Sequence, residues 1–135
     1  MNPYLPAPVA RLVRKLSAEE DVVGIALFGS RARGDAHLTS DYDLLVIRED
    51  AYGLRRECVG GGEDEYYVDI VEYPKDAITK DSPYELDRPL AECHILYDPQ
   101  GLLADAKAGL VHHERGARAF KPIRGTRFRR RVNYW

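Results

Sequence analysis

The chain has 135 residues, 44% hydrophobic and 31% charged, which is the size of one domain that can bury roughly two thirds of its unfolded surface. No apolar run nears the ~20 residues that a membrane span requires. The formal charge of -2 conceals a division: eight Lys and Arg and no acid occupy residues 115–135, leaving twelve basic residues against 22 acids before them, a charge of -10. A body this acidic argues against a nucleic-acid binder, because phosphate backbones are held by clustered Lys and Arg.

The start, "MNPYLPAPVARLVRKLS", has three early prolines and lacks the apolar core of a signal peptide. Cys58 and Cys93 are the only cysteines and lack C-x-x-C spacing, so neither a disulfide framework nor a cysteine-rich zinc site is expected. Two free thiols fit a reducing compartment, and a cytoplasmic protein is the expectation.

Val9, Leu12, Val13 and Leu16 recur at helical spacing between Arg11, Arg14 and Lys15, which predicts an amphipathic helix over residues 7–17. "VVGIALFG" and "YDLLVIRE" are β-branched apolar runs of strand length. The polar "SRARGDAHLTS" between them has room for a helical turn or two and then a loop through Gly34. "AYGLRRECVGGGEDE", with three consecutive glycines, reads as a mobile loop ahead of the strand "YYVDIVEY", which Pro74 ends. "PKDAITK" and "SPYELDRPLAE" are expected as short helices with prolines near their starts. "CHILYD" is a fourth strand, and "PQGLLADAKAGL" a helix after it. Interleaved strands and helices predict an α/β or α+β sandwich around one mixed sheet. The expected division is one domain over 1–114 and a basic tail over 115–135, flexible unless a partner or the body holds it. That tail has the charge to contact RNA, a partner protein or a nucleotide, although a solvated charge run is its default reading.

The chemistry concentrates in acids. Side chains alternate across a strand, so Asp41 and Asp43 project from one face and Tyr42 from the other. Two carboxylates so close repel unless a cation neutralises them, and magnesium, a hard ion held by one or two carboxylates plus substrate phosphates, does this well. Asp69 lies between Val68 and Ile70 in an otherwise apolar strand, where an ionised acid needs a cation or a donor. Period two puts Glu72 on the opposite face from Asp69. If the two strands pair, three carboxylates and two ions complete a two-metal clamp for in-line displacement at phosphorus. Gly29 lets the backbone approach a phosphate, and Ser30 adds a hydroxyl. The P-loop pattern is absent.

The string Gly29-Ser30, ten residues, then Asp41-x-Asp43, with Asp69 on a later strand, resembles the minimal nucleotidyltransferases of the polymerase-beta-like superfamily. The resemblance spans residues 7–110 and implies a mixed sheet flanked by helices that binds a magnesium–NTP complex and transfers a nucleoside monophosphate to an acceptor. By that likeness Gly29 and Ser30 hold the β- and γ-phosphates, with Arg31 as a further candidate. Asp41 and Asp43 hold two magnesium ions, and Asp69 ligates the catalytic one and helps to deprotonate the acceptor hydroxyl. Small stand-alone members resemble antitoxins that silence a HEPN-domain ribonuclease toxin by adenylylating a tyrosine with ATP. The triple glycine and the arginine-rich end match no role in that family.

Two other readings stay open: a binding module that blocks its partner stoichiometrically, and a transferase acting on a small molecule or an RNA end. The sequence leaves the oligomeric state and the nucleotide open. Arg33 reads as structural, holding the loop. His37, His112, His113 and the Cys93-His94 pair read as solvated or packed residues, and Tyr66 and Tyr67 as core or edge.

Overall fold

The structure, a computed structural model, describes residues 4–37, 40–79 and 84–113. Ten elements follow in chain order: α1 (Ala7–Ser17), β1 (Val22–Phe28), α2 (Ser30–Arg33), β2 (Tyr42–Arg48), β3 (Gly53–Gly61), β4 (Asp64–Pro74), α3 (Asp76–Thr79), α4 (Tyr84–Glu92), β5 (His94–Tyr97) and α5 (Leu102–His113). The strands form one sheet in the order β3-β4-β2-β1-β5. β2 and β4 are parallel and the other neighbours antiparallel, so this is the mixed sheet flanked by helices that the sequence predicts.

Strand alternation divides the apolar side chains between two layers. On one face Val9, Leu12 and Leu16 of α1 pack on Ile25 and Leu27 of β1, Leu44 and Val46 of β2, and Val68 and Ile70 of β4. On the other, Leu86 and Leu90 of α4 and Leu103 and Leu110 of α5 cover Ala26, Leu45, Ile47 and Val71. A register irregularity between Val22 and Gly24 adjusts the first strand to both layers. Gly24 lies under Leu103, where a Cβ would meet Leu103 Cδ1 at 2.9 Å, so its missing side chain brings α5 close to the sheet.

The segment expected as a mobile loop is the one departure in the fold. Residues 53–61 form the edge strand β3, paired with β4 from Gly53↔Glu72 to Gly61↔Asp64. Gly60 and Gly62, at φ 91° and 65°, supply the left-handed backbone of the hairpin turn, so the triple glycine turns the chain tightly. As an edge strand β3 is polar on both faces, and charge there protects against pairing with another chain. Its inner half is tied down by ions: Arg55 donates to Glu72 Oε2 (2.8 Å), the same oxygen that receives Arg48 Nε (3.0 Å). Arg48 also reaches Asp21 and Glu19 at 2.8 Å each, closing a network at the far end of the sheet from Asp41.

No helix among the described residues is long and apolar enough to cross a membrane. Cys58 is exposed and Cys93 buried, both as free thiols. The basic tail, with the boundary set at residue 114, lies outside the described residues, as do the side chains of His112 and His113.

Candidate active site

The parallel pairing of β2 with β4 sets the site. Its register runs Tyr42↔Val68, Asp43↔Asp69, Leu44↔Ile70, so the acids at 43 and 69 stand side by side on the α4–α5 face. Their positions follow from the apolar pattern, since sliding either strand by one residue would carry its whole hydrophobic set to the wrong layer. Glu72 accordingly projects to the opposite face, where it takes part in the Arg48 network.

A cation that no sequence motif marks joins them. Arg56 lies directly opposite Asp69 in the β3–β4 ladder. Its Nε donates to Asp69 Oδ1 (2.8 Å), and its Nη2 donates to Asp69 Oδ2 (3.2 Å) and to Asp41 Oδ2 (2.6 Å). One guanidinium thus bridges the first acid of the D-x-D pair to the acid of β4. The Asp69 side chain is 7% exposed and that of Arg56 48%, so the bridge sits at the mouth of the site and not within the core. The guanidinium carbon also lies 5.3 Å from the centre of the Tyr67 ring, on the same face of β4 two residues before Asp69. The two carboxylates hold Arg56 more firmly protonated than an isolated arginine, the hydrogen bond to Asp69 contributing most.

Asp43 receives no such bond among the contacts the structure gives it, and its proton is held up to about 7, against an ordinary 3.8. Burial is the first cause, followed by the charges of Asp69 and Asp41, with Arg33 and Arg56 opposing them. A half-buried carboxylate between two others is a group that positive charge would ionise.

Gly29 closes the site from the β1 side. Phe28 pairs with Asp43, and Gly29 follows at φ 80°, a left-handed conformation in which a Cβ would fall on the Asp43 carboxylate. Glycine is therefore required here twice, for the backbone angle and for the approach. Its N–H donates to Glu92 Oε2 at 2.8 Å, from the last residue of α4. Arg33 Nη1 donates to both Glu92 oxygens (3.2 and 3.1 Å), and its Nε to Asp35 (3.2 Å). Ser30 opens α2, and its carbonyl accepts the N–H groups of Gly34 (3.0 Å) and Asp35 (3.2 Å). His94 Nε2–H donates to the Ala32 carbonyl at 2.8 Å, fixing the same turn from β5.

The two arginines of this turn face opposite ways. Arg31 donates through Nη2 to the Ser40 carbonyl (2.8 Å) and stacks 4.4 Å above the ring of Tyr42, whose side chain belongs to the α1 layer. Arg31 therefore holds the loop before β2, while Arg33 holds its own loop through Asp35 and Glu92, as expected, and its charge also favours ionisation of Asp43.

The sequence-derived candidates Gly29, Asp41, Asp43 and Asp69 are brought together, with Ser30 adjoining. As they stand, no three carboxylate, imidazole or thiol groups among the described residues are grouped to hold a metal ion. The chemistry of the donor set nevertheless suits a hard divalent cation: three carboxylates, one kept partly protonated by desolvation and the neighbouring acids, and two already sharing a cation. Arg56 and Glu92 were absent from the sequence candidates. Arg56 could have been found by its place in a strand that the glycines disguised; nothing local marks Glu92.

A family model of the nucleotidyltransferase domain matches residues 9–93, a span that contains Gly29, Ser30, Asp41, Asp43, Arg56, Asp69 and Glu92. No curated protein matches the chain. Among solved structures, a nucleotidyltransferase-like protein from Exiguobacterium sibiricum 255-15 superposes with a TM-score of 0.54 at 16% identity, covering 78% of this chain. This chain spans 38% of that protein. The crystal structure of a toxin-antitoxin with AMP-PNP superposes with a TM-score of 0.50 at 17% identity, covering 79% of this chain and 84% of that one. At such identities these two likenesses concern the fold alone.

Proposed function

The chain belongs to the nucleotidyltransferase domain family, and from that premise we propose that it transfers a nucleoside monophosphate, AMP from ATP, to an acceptor hydroxyl in a magnesium-dependent reaction. The observation that carries the proposal is the in-register pairing of Asp43 with Asp69, with Asp41 joined to them through Arg56 and Gly29 pressed against Asp43. Asp41, Asp43 and Asp69 would hold two magnesium ions, which when bound neutralise phosphoryl oxygens and lower the pKa of the attacking hydroxyl.

The side chains of this protein then have definite tasks. Gly29 and Ser30 receive the β- and γ-phosphates, the glycine because only an uncovered backbone admits them so close to Asp43. The acceptor oxygen attacks the α-phosphorus in line, the α–β bridging P–O bond breaks, and pyrophosphate leaves with the bonding pair. The hydroxyl proton passes to the carboxylate of Asp69. Arg33 stays anchored on Glu92 and keeps positive charge beside the phosphates.

For the acceptor we propose a tyrosine of a partner protein, a HEPN-domain toxin, with this chain as its antitoxin. The sequence resemblance and the fold shared with a toxin-antitoxin solved with AMP-PNP support that choice. A second reading, a module that blocks its partner without chemistry, draws on the ion pairs that Arg56 makes with Asp41 and Asp69, which occupy the acids. Incubation with α-labelled ATP and magnesium, with and without the candidate toxin, separates the two. Label on a toxin tyrosine, lost in Asp43→Asn, is the expected result. Tight association without label, unchanged by Asp43→Asn, would establish the blocking module instead.

A further inference from the structure

Arg56 stands where the proposed chemistry needs divalent ions. It pairs with two of the three acids, by three hydrogen bonds of 2.6, 2.8 and 3.2 Å. A guanidinium and a hydrated magnesium ion cannot both use the same oxygens of Asp41 and Asp69, because each satisfies the same lone pairs with positive charge. Three observations make this bridge exchangeable and not a fixed part of the core. Arg56 is 48% exposed. It lies on an edge strand, whose outer side no strand among the described residues holds. Among the described residues its three hydrogen bonds all go to these acids, and beyond them its guanidinium lies against the face of the Tyr67 ring. Arg55, its neighbour, is by contrast anchored to the buried Glu72.

We propose that Arg56 is the site's resident counter-cation and competes with the divalent metal, so that metal loads only as the guanidinium leaves Asp41 and Asp69. This inference rests on the reading of those acids as metal ligands. Arg56 is then a positioning residue that acts through the carboxylates. It keeps the acids neutralised and in place while no nucleotide is bound, and it makes metal binding depend on the nucleotide, whose phosphate oxygens offer the released guanidinium a new partner. Magnesium alone must displace Arg56 without replacing its partners, whereas magnesium with a triphosphate replaces them.

The test is the affinity for Mn2+, followed by the electron paramagnetic resonance of the free ion, in the full chain with and without a non-hydrolysable ATP analogue. In wild type, Mn2+ alone should bind weakly and the analogue should tighten it. Arg56→Gln should bind Mn2+ alone several-fold more tightly, with a smaller gain from the analogue. Arg56→Lys, which retains the charge but not the fork, should fall between them, and it serves as the folded control if the glutamine variant is compromised. The metal-free Arg56→Gln protein should also melt lower than wild type and regain the difference on adding Mn2+. Equal or weaker Mn2+ binding in both variants, beside wild type that binds Mn2+ with the analogue, would overturn the competition and leave the metal-site reading intact. No Mn2+ binding by any of the three proteins, analogue present, would overturn both.

Discussion

Replacing Asp43 with Asn should stabilise the metal-free protein, and by an amount that grows with pH. Asp43 holds its proton up to about 7 because burial, then Asp69 and Asp41, oppose its charge. A folded-state pKa above the unfolded value of 3.8 means that the native chain binds this proton more tightly. The contribution of this group is therefore complete below the unfolded value and is lost as pH climbs towards the folded one. At about 1.4 kcal/mol per pH unit, the loss is as much as ~4 kcal/mol at pH 8 but under ~2 kcal/mol at pH 5. Asn keeps the shape of the side chain and cannot ionise, so it escapes the loss. The stability difference between variant and wild type should widen by up to ~3 kcal/mol from pH 5 to pH 8, or about 10 °C in Tm. Urea titrations in EDTA at pH 5, 6, 7 and 8 measure it, and magnesium added at pH 8 should stabilise wild type alone. A difference that stays flat or narrows over that range would refute the claim that Asp43 is held protonated by desolvation and by the acids beside it.

Two further outcomes follow from the geometry around Gly29. Gly29→Ala places a methyl on the Asp43 carboxylate and forces an L-residue to φ 80°; the angle alone costs about 1–2 kcal/mol. Its thermal melt should fall by at least that, and nucleotide binding should be lost even where the fold persists. Glu92→Ala strips the Gly29 N–H and Arg33 of their shared acceptor, at a cost of about 1–3 kcal/mol. Hydrogen exchange at the Gly29 amide should quicken, while Glu92→Gln, which keeps an acceptor oxygen, should lose less than half as much by the same readout.

Much of this was legible before any coordinates. Val9, Leu12 and Leu16 at helical spacing, and the apolar runs of β1, β2 and β4, declare which faces are buried, and once the faces are set, the register of Asp43 against Asp69 follows. The strand β3 was illegible for a physical reason. An edge strand needs only one neighbour and little apolar cover, so Leu54, Arg56 and Cys58 alternate with Arg55, Glu57 and Val59 without a clean hydrophobic face. The glycines around them carry the signature of a loop, although Gly60 and Gly62 serve a tight turn. Losing that strand meant losing Arg56. Arg31 and Arg33 lie two apart on one helical turn and must point different ways, but periodicity alone does not say which one faces the acids. The ring of Tyr42 decides it by capturing Arg31. Glu92 reaches Gly29 across 63 residues of sequence, through packing that no local pattern records.

The central claim is that Asp41, Asp43 and Asp69 act together as the seat of a metal–nucleotide complex. Equilibrium titration of wild type and of Asp69→Asn with a fluorescent ATP analogue, once with magnesium and once in EDTA, tests it most directly. Binding by wild type that needs magnesium and disappears in the variant is the result this account expects. Binding of equal strength in all four titrations, or none in any of them, would contradict it.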